Sequence, residues 1–169
     1  MSEIKWGKKS SNPVEQRDLK RHAVLRAAAA AFYENGFERT SLDSLAKSLN
    51  LTKPALYYYV KSKDDILFEC TNFALEELDK VHAEIADHPG NAMQKLRHFF
   101  LGYGELSRDD FGKCLAVFGD RPALKENRPK LRKSRRDVQD HIEQLITEGF
   151  DDGSIAPCNA RFAAIILFS

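Results

Sequence analysis

The residues with most chemistry to offer run from Thr52 to Lys63: Thr-Lys-Pro-Ala-Leu-Tyr-Tyr-Tyr-Val-Lys-Ser-Lys. They supply hydroxyl groups and ammonium ions but no nucleophile beside a base, so their chemistry is hydrogen bonding and charge rather than catalysis. At about 100° per residue, Leu56 and Val60 fall on one face of a helix. Tyr58 then points almost directly away, with Pro54, Ala55 and Lys61 also outward and Tyr57 and Tyr59 on the flanks. Solubility explains an outward ridge of proline, alanine and tyrosine poorly. Insertion into a DNA major groove explains it well: Ala55 and Tyr58 meet base edges while Lys53, Lys61, Lys63 and the flanking hydroxyls meet phosphates. Free N–H groups at helix starts near Thr40, Ser41 and Lys63 add phosphate sites. A tyrosine-rich helix packed on the rest of the chain is the plainer use of the same residues.

Such a ridge needs elements to hold it. Val24, Leu25, Ala28, Ala31 and Phe32 make one stripe of a helix over 17–35, ended by Gly36, after which Phe37 folds back. Leu42, Leu45, Ala46 and Leu49 repeat the period behind a cap at Thr40 or Ser41. Asn50, which tolerates positive φ, occupies the turn. Thr52 caps the next helix, with Pro54 in its first turn. None of the three is long enough to be stable alone, so they must pack together. Residues 1–16 show no apolar period and read as a flexible basic arm.

Charge follows the same division. Residues 1–63 carry 12 Lys+Arg against 6 Asp+Glu, whereas residues 64–169 carry 14 against 19. A basic module on an acidic body fits a polyanion partner, and a solvated basic tail fits as well. Hydrophobic residues at 43% and charged residues at 30% exclude a disordered chain. No run of 18 apolar residues and no signal peptide appears, so the expected location is cytoplasmic, with no membrane span. Cys70, Cys114 and Cys158 lie far apart and read as reduced thiols. The histidines lack metal spacing, and no phosphate loop, nucleophile elbow or zinc motif is present; neither an enzyme nor a cofactor or metal is expected.

The stretch AVLRAAAAAFYENGFERTSLDSLAKSLNLTKPALYYYVKSKDDIL resembles the N-terminal domain of the TetR (tetracycline-repressor) family of transcriptional regulators. The likeness rests on Phe32, Gly36-Phe37, Thr40-Ser41 and Leu45-Ala46, then Leu51-Thr52-Lys53, Leu56-Tyr57 and Lys61-Ser62-Lys63. It departs at Asn50, where the family often has glycine, and at Pro54-Ala55, where a threonine or serine often follows. The resemblance implies DNA contact at Thr52, Lys53, Tyr57, Tyr58 and Lys63. It also implies an all-α fold: a helix-turn-helix domain (17–63) joined by a long helix to a helical ligand-binding and dimerisation domain (64–169).

That second part reads as helical throughout. Ser62 and Asp65 resemble a capping box, opening a helix whose apolar residues run from Ile66 to Ile85 and stop at Pro89-Gly90. Asn91 caps a segment with Met93, Leu96, Phe99, Phe100, Tyr103 and Leu106 inward. A shorter one carries Phe111, Leu115, Val117 and Phe118, and Pro129 opens a long one. Residues 149–155 read as a loop. Phe99, Phe100, Tyr103, Phe111, Cys114 and Phe118 are candidates for the lining of an apolar ligand pocket, or simply for core. The cations at 128–136 could face a nucleotide-bearing ligand, a second stretch of DNA, or only water. The last helix, from Asn159, is apolar nearly all round and stops abruptly, so burial is expected, and a sequence truncated relative to the natural protein. By the resemblance, Phe162, Ile165, Ile166 and Phe168 belong to the interface of a homodimer. The function implied is a repressor on an inverted-repeat DNA operator, released by a small apolar effector such as an acyl-CoA or an aromatic compound. A helical protein-interaction scaffold without DNA binding is the alternative.

Overall fold

A computed structural model describes residues 12–168 apart from 87, 120, 122–124 and 127, and among the described residues there are eight helices and no strand. They are α1 (Pro13–Asn35), α2 (Leu42–Ser48), α3 (Lys53–Tyr57), α4 (Lys63–Ala86), α5 (Ala92–Arg108), α6 (Asp110–Phe118), α7 (Arg128–Asp151) and α8 (Ala160–Leu167).

Capping chemistry sets most boundaries. The Asn12 side chain accepts from the Val14 N–H and Pro13 takes the first helical position, so α1 begins at Pro13 and not at residue 17. The first turns carry exposed Val14 and Leu19, which is why the apolar stripe gave no sign of them. Residues 1–11 of the expected arm lie outside the described residues; residues 13–16 are helical. Gly36 ends α1 at φ 84°, and Phe37 returns onto Phe32 with ring centroids 4.9 Å apart. Ser41, not Thr40, caps α2, in a reciprocal pair with Ser44. Asn50 stands at φ 54° in the turn, and Thr52 caps α3. Ser62 accepts from Asp65 N–H, while the Asp65 carboxylate accepts from Lys61 N–H, one residue earlier than in a regular capping box.

The packing forms two cores. The first joins Val24, Leu25, Ala28 and Phe32 of α1 to Leu45, Leu56 and Val60, to Ile66, Leu67 and Cys70 of lower α4, and to Phe111, Cys114 and Phe118 of α6. The second joins Leu78 and Ile85 of upper α4 to Leu96 and Phe99 of α5, Ile142 and Leu145 of α7, and Ala164 of α8. Residue 63 therefore divides the sequence but not the packing, since the first core runs across it.

The expected loop at 149–155 is shorter than its composition suggests, because α7 continues to Asp151. Gly149 is buried inside the helix, where an added Cβ would lie 2.5 Å from Ile155 Cδ1. The glycine there serves a close approach rather than a helix end. Met93 and Val117, expected among the apolar faces of their helices, are exposed.

Candidate nucleic-acid interface

Helix α3 is only five residues long and is held from behind. Leu56 and Val60 are buried at 0% and 2% exposure, whereas Tyr57 and Tyr58 stand at 48% and 63%. Pro54, Thr52, Lys53 and Lys61 are also exposed, and Ala55, Tyr59 and Lys63 are half-buried. The outward ridge is thus present as the spacing requires. Tyr59 departs from it by packing against the first core, its ring edge-on to Tyr58 at 5.2 Å.

Three cations around the ridge, Lys53, Lys63 and Arg17, are already engaged. Lys53 Nζ lies 2.9 Å from an Asp43 carboxylate oxygen, and that hydrogen bond, followed by the charge of Asp43, raises the lysine pKa. Lys63 Nζ sits 4.4 Å from the Phe37 ring centroid and donates to Glu38 O at 3.4 Å. Arg17 stacks on Tyr58 at 5.2 Å. Sequence reasoning missed Arg21, whose Nε donates to Tyr59 O at 3.2 Å and whose guanidinium pairs with Glu69 at 3.2 Å. It clamps the end of α3 to α1 and α4. No local pattern marks it, because its partners lie 38 and 48 residues away.

Thr40 requires a correction. It is 5% exposed, and its hydroxyl donates to Ala31 O at 3.2 Å and Gly36 O at 2.9 Å. Its N–H donates to Gly36 O. With both donors turned inward, Thr40 braces the α1–α2 turn and leaves Ser41, exposed at the α2 start, as the candidate beside phosphate.

The six pocket candidates do not share one lining. Phe99, Phe100 and Tyr103 belong to the second core, where Phe99 stacks on Tyr103 at 5.9 Å. Phe111, Cys114 and Phe118 belong to the first, because α6 turns toward α1 after the corner at Asp109. On α8, Phe162, Ile165 and Ile166 are exposed, so the helix that composition marked for full burial shows an open apolar face. Phe168 instead turns inward, 5.2 Å from Tyr103 and 6.1 Å from Phe99. Lys130, Arg132, Lys133, Arg135 and Arg136 are exposed on α7. Tertiary structure also pairs histidines that sequence kept apart: His82 Nε2 and His141 Nδ1 are 2.6 Å apart, and burial, then His82, lowers the His141 pKa. Among the described residues no group of three or more His, Cys, Asp or Glu is placed to hold a metal ion. Among them, too, no helix is long and apolar enough to cross a membrane.

Two short helices meeting at a left-handed Asn50, the second presenting an aromatic ridge with cations at its margins, define a helix-turn-helix DNA-binding protein. Comparison with known proteins gives the family. Residues 24–70 match the model of bacterial regulatory proteins of the tetR family, and residues 89–169 match the tetracyclin repressor-like C-terminal domain. The biofilm operon icaADBC HTH-type negative transcriptional regulator IcaR of Staphylococcus aureus (strain Newman) is 33% identical over 144 residues, covering 85% of this chain and 76% of that protein. The HTH-type transcriptional regulator YhgD of Bacillus subtilis (strain 168) is 24% identical over 146 residues, with coverage of 85% and 76%. Among solved structures, the TetR family transcriptional regulator PfmR from Thermus thermophilus has a TM-score of 0.73 at 26% identity, covering 86% of this chain and 80% of its own. AibR, in complex with isovaleryl coenzyme A and operator DNA, has the same fold with a TM-score of 0.73 at 20% identity, covering 87% and 80%. The chain belongs to the TetR family of transcriptional regulators. These relatives are regulators rather than enzymes.

Proposed function

We propose that the protein is a ligand-responsive repressor that acts in the cytoplasm as a homodimer on an inverted-repeat DNA operator. The observation that carries this reading is α3: Tyr57 and Tyr58 stand exposed while Leu56 and Val60 anchor the helix from behind. Thr52, Lys53, Pro54, Ala55, Tyr57 and Tyr58 form the reading surface, with Ser41, Lys61 and Lys63 beside the phosphates and Tyr59 behind, positioning the ridge. The exposed apolar residues of α8, Phe162, Ile165 and Ile166, support the dimer, because such a face is suited to its own symmetry mate. Two-fold symmetry places one α3 on each half-site of the operator.

A small, largely apolar effector, bound within the helical part, favours a spacing of the two α3 helices that does not fit successive major grooves, and DNA is released. Acyl-CoA thioesters are the first class to test. AibR was solved with isovaleryl coenzyme A, and a fatty acid metabolism regulator protein of Bacillus subtilis is 23% identical over 161 residues. The exposed cations at 130–136 offer a place for the nucleotide phosphates. Selection from a random-sequence DNA library, followed by footprinting, tests the whole reading. The expected product is an inverted repeat protected on both half-sites, and retention of no sequence above background would identify a scaffold instead. Adding acyl-CoAs of graded chain length to the selected complex then tests the effector class.

A further inference from the structure

The corner between α1 and α2 brings together two cations from distant parts of the chain. Gly36, at φ 84°, turns the backbone so that Phe37 folds inward while the Glu38 side chain stays 75% exposed. Lys63, at the start of α4, and Arg121, just beyond α6, both approach this corner. Lys63 Nζ and Arg121 Cζ each lie 4.4 Å from the Phe37 ring centroid. Glu38 is divided between them: its backbone oxygen accepts from Lys63 Nζ at 3.4 Å, and its carboxylate pairs with Arg121. Arg121 is fixed further by its backbone N–H, which donates to Phe118 O at 3.0 Å, and by its guanidinium, 5.9 Å from the Phe118 ring centroid.

This division decides what Lys63 can do. The Glu38 carboxylate hangs from the residue whose own carbonyl Lys63 already touches, and both side chains are long and flexible enough to meet. The guanidinium wins the carboxylate because its planar fork matches two oxygens and is more weakly hydrated than an ammonium. Lys63 is left with a ring and a neutral carbonyl, and it makes no ion pair among the described residues. Its charge is therefore not cancelled by a neighbour.

We propose that Arg121 is a positioning residue for DNA binding: by holding the Glu38 carboxylate it keeps the Lys63 ammonium available to an operator phosphate. The proposal rests on the repressor reading, in which Lys63 stands beside phosphate. Without Arg121 the carboxylate turns to Lys63 and competes with phosphate for the ammonium. Arg121 needs no contact with DNA to act in this way. The helical part of the chain, which supplies Arg121, thus sets how strongly a lysine at the edge of the reading surface binds.

The test uses Arg121→Met in the full chain, which keeps an apolar stem over Phe37 and Phe118 and removes the charge. Operator affinity is measured by fluorescence anisotropy over a range of salt. Arg121→Met should weaken binding about threefold to fivefold at low salt and flatten the dependence of log affinity on log salt by up to about one unit. Adding Glu38→Gln should restore both. Glu34→Gln, which removes the same charge from an exposed position on α1, should restore neither. In a Lys63→Ala background, Arg121→Met should change affinity by less than about twofold. Wild-type affinity in Arg121→Met, a loss that Glu38→Gln leaves in place, equal rescue by Glu34→Gln, or a full loss in the Lys63→Ala background overturns the proposal. The exchange of partners is read without DNA by NMR: cross-peaks between Lys63 Hε and Glu38 Hγ protons should strengthen in Arg121→Met, and unchanged cross-peaks overturn it. A wild-type chain that retains no operator overturns the repressor reading, while the spectra still decide whether Arg121 holds Glu38 away from Lys63.

Discussion

Thr40→Val separates the bracing role of Thr40 from a role at DNA. Valine keeps the branched shape and removes one hydroxyl. That hydroxyl has a single hydrogen to share between Ala31 O and Gly36 O, so one hydrogen bond's worth of interaction is lost. Neither carbonyl is left bare: Gly36 O still accepts the Thr40 N–H, and Ala31 O still accepts Asn35 Nδ2 at 3.2 Å. The cost is therefore that of a neutral hydrogen bond, about 1 kcal/mol, rather than the larger penalty of an orphaned buried group. In a chain of this length it lowers the melting temperature by about 2–4 °C. Because the side chain is 5% exposed, operator affinity measured well below the melt should stay within about twofold of wild type. Urea unfolding gives the first quantity and fluorescence anisotropy on the selected operator the second. An unchanged urea midpoint together with a tenfold loss of operator affinity would place the hydroxyl on a phosphate and refute the bracing assignment.

Three further outcomes are expected. Tyr58→Ala combined with Lys63→Ala should weaken specific operator binding by about tenfold or more. Lys63→Ala alone should flatten the dependence of log affinity on log salt by about one unit, and a double variant with wild-type affinity would remove α3 from the interface. Phe162→Lys, at an exposed position of α8, should raise the dimer dissociation constant at least about tenfold by sedimentation while secondary structure is kept; an unchanged dimer would put the interface elsewhere. His141 is held below its usual pKa by burial and then by His82, so the folded chain binds fewer protons there than the unfolded one. Its contribution is present above about pH 6.5 and is lost as pH falls through the lowered value. His22, lowered by burial and then by Arg26, acts in the same sense. Melting temperature should therefore fall between pH 7 and 5, and His82→Gln should make the fall shallower; an identical slope in the variant would deny the pair any role.

What the sequence made legible was local. The Asn50 turn, the Thr52 and Ser62 caps and the direction of Tyr58 follow from one helical period and from residue types acting within four positions of themselves. What stayed hidden needed a partner far along the chain. Arg21 has no signature until Tyr59 and Glu69 arrive beside it, and the His82–His141 pair spans 59 residues. The pocket candidates failed to converge for a related reason. Apolar periodicity shows that Phe99 and Phe111 face inward, but the corner at Asp109 decides toward which core, and that corner depends on packing across helices. On α8, composition marked a helix apolar nearly all round, but only Ala164 is buried in the chain.

The two cores also bear on how an effector could reach DNA. Helix α4 has 24 residues and so a length of about 36 Å. Its lower half is fixed in the first core with α1, α2, α3 and α6, and its upper half in the second with α5, α7 and α8. Ion pairs reinforce the lower unit: Arg21 to Glu69, Arg26 to Asp109 and Arg121 to Glu38. Close-packed units move as bodies rather than by gradual deformation. In the proposed mechanism, repacking around Phe99 and Tyr103 therefore moves the upper half of α4, and the lower half carries α3 with it. Over this length a tilt of about 5° displaces one end by roughly 3 Å, comparable to the tolerance of a side chain docked on a base edge. Two such displacements, one in each protomer, change the half-site spacing by their sum. A modest change in the second core is then sufficient to shift the population away from the DNA-competent form, without any direct contact between effector and α3.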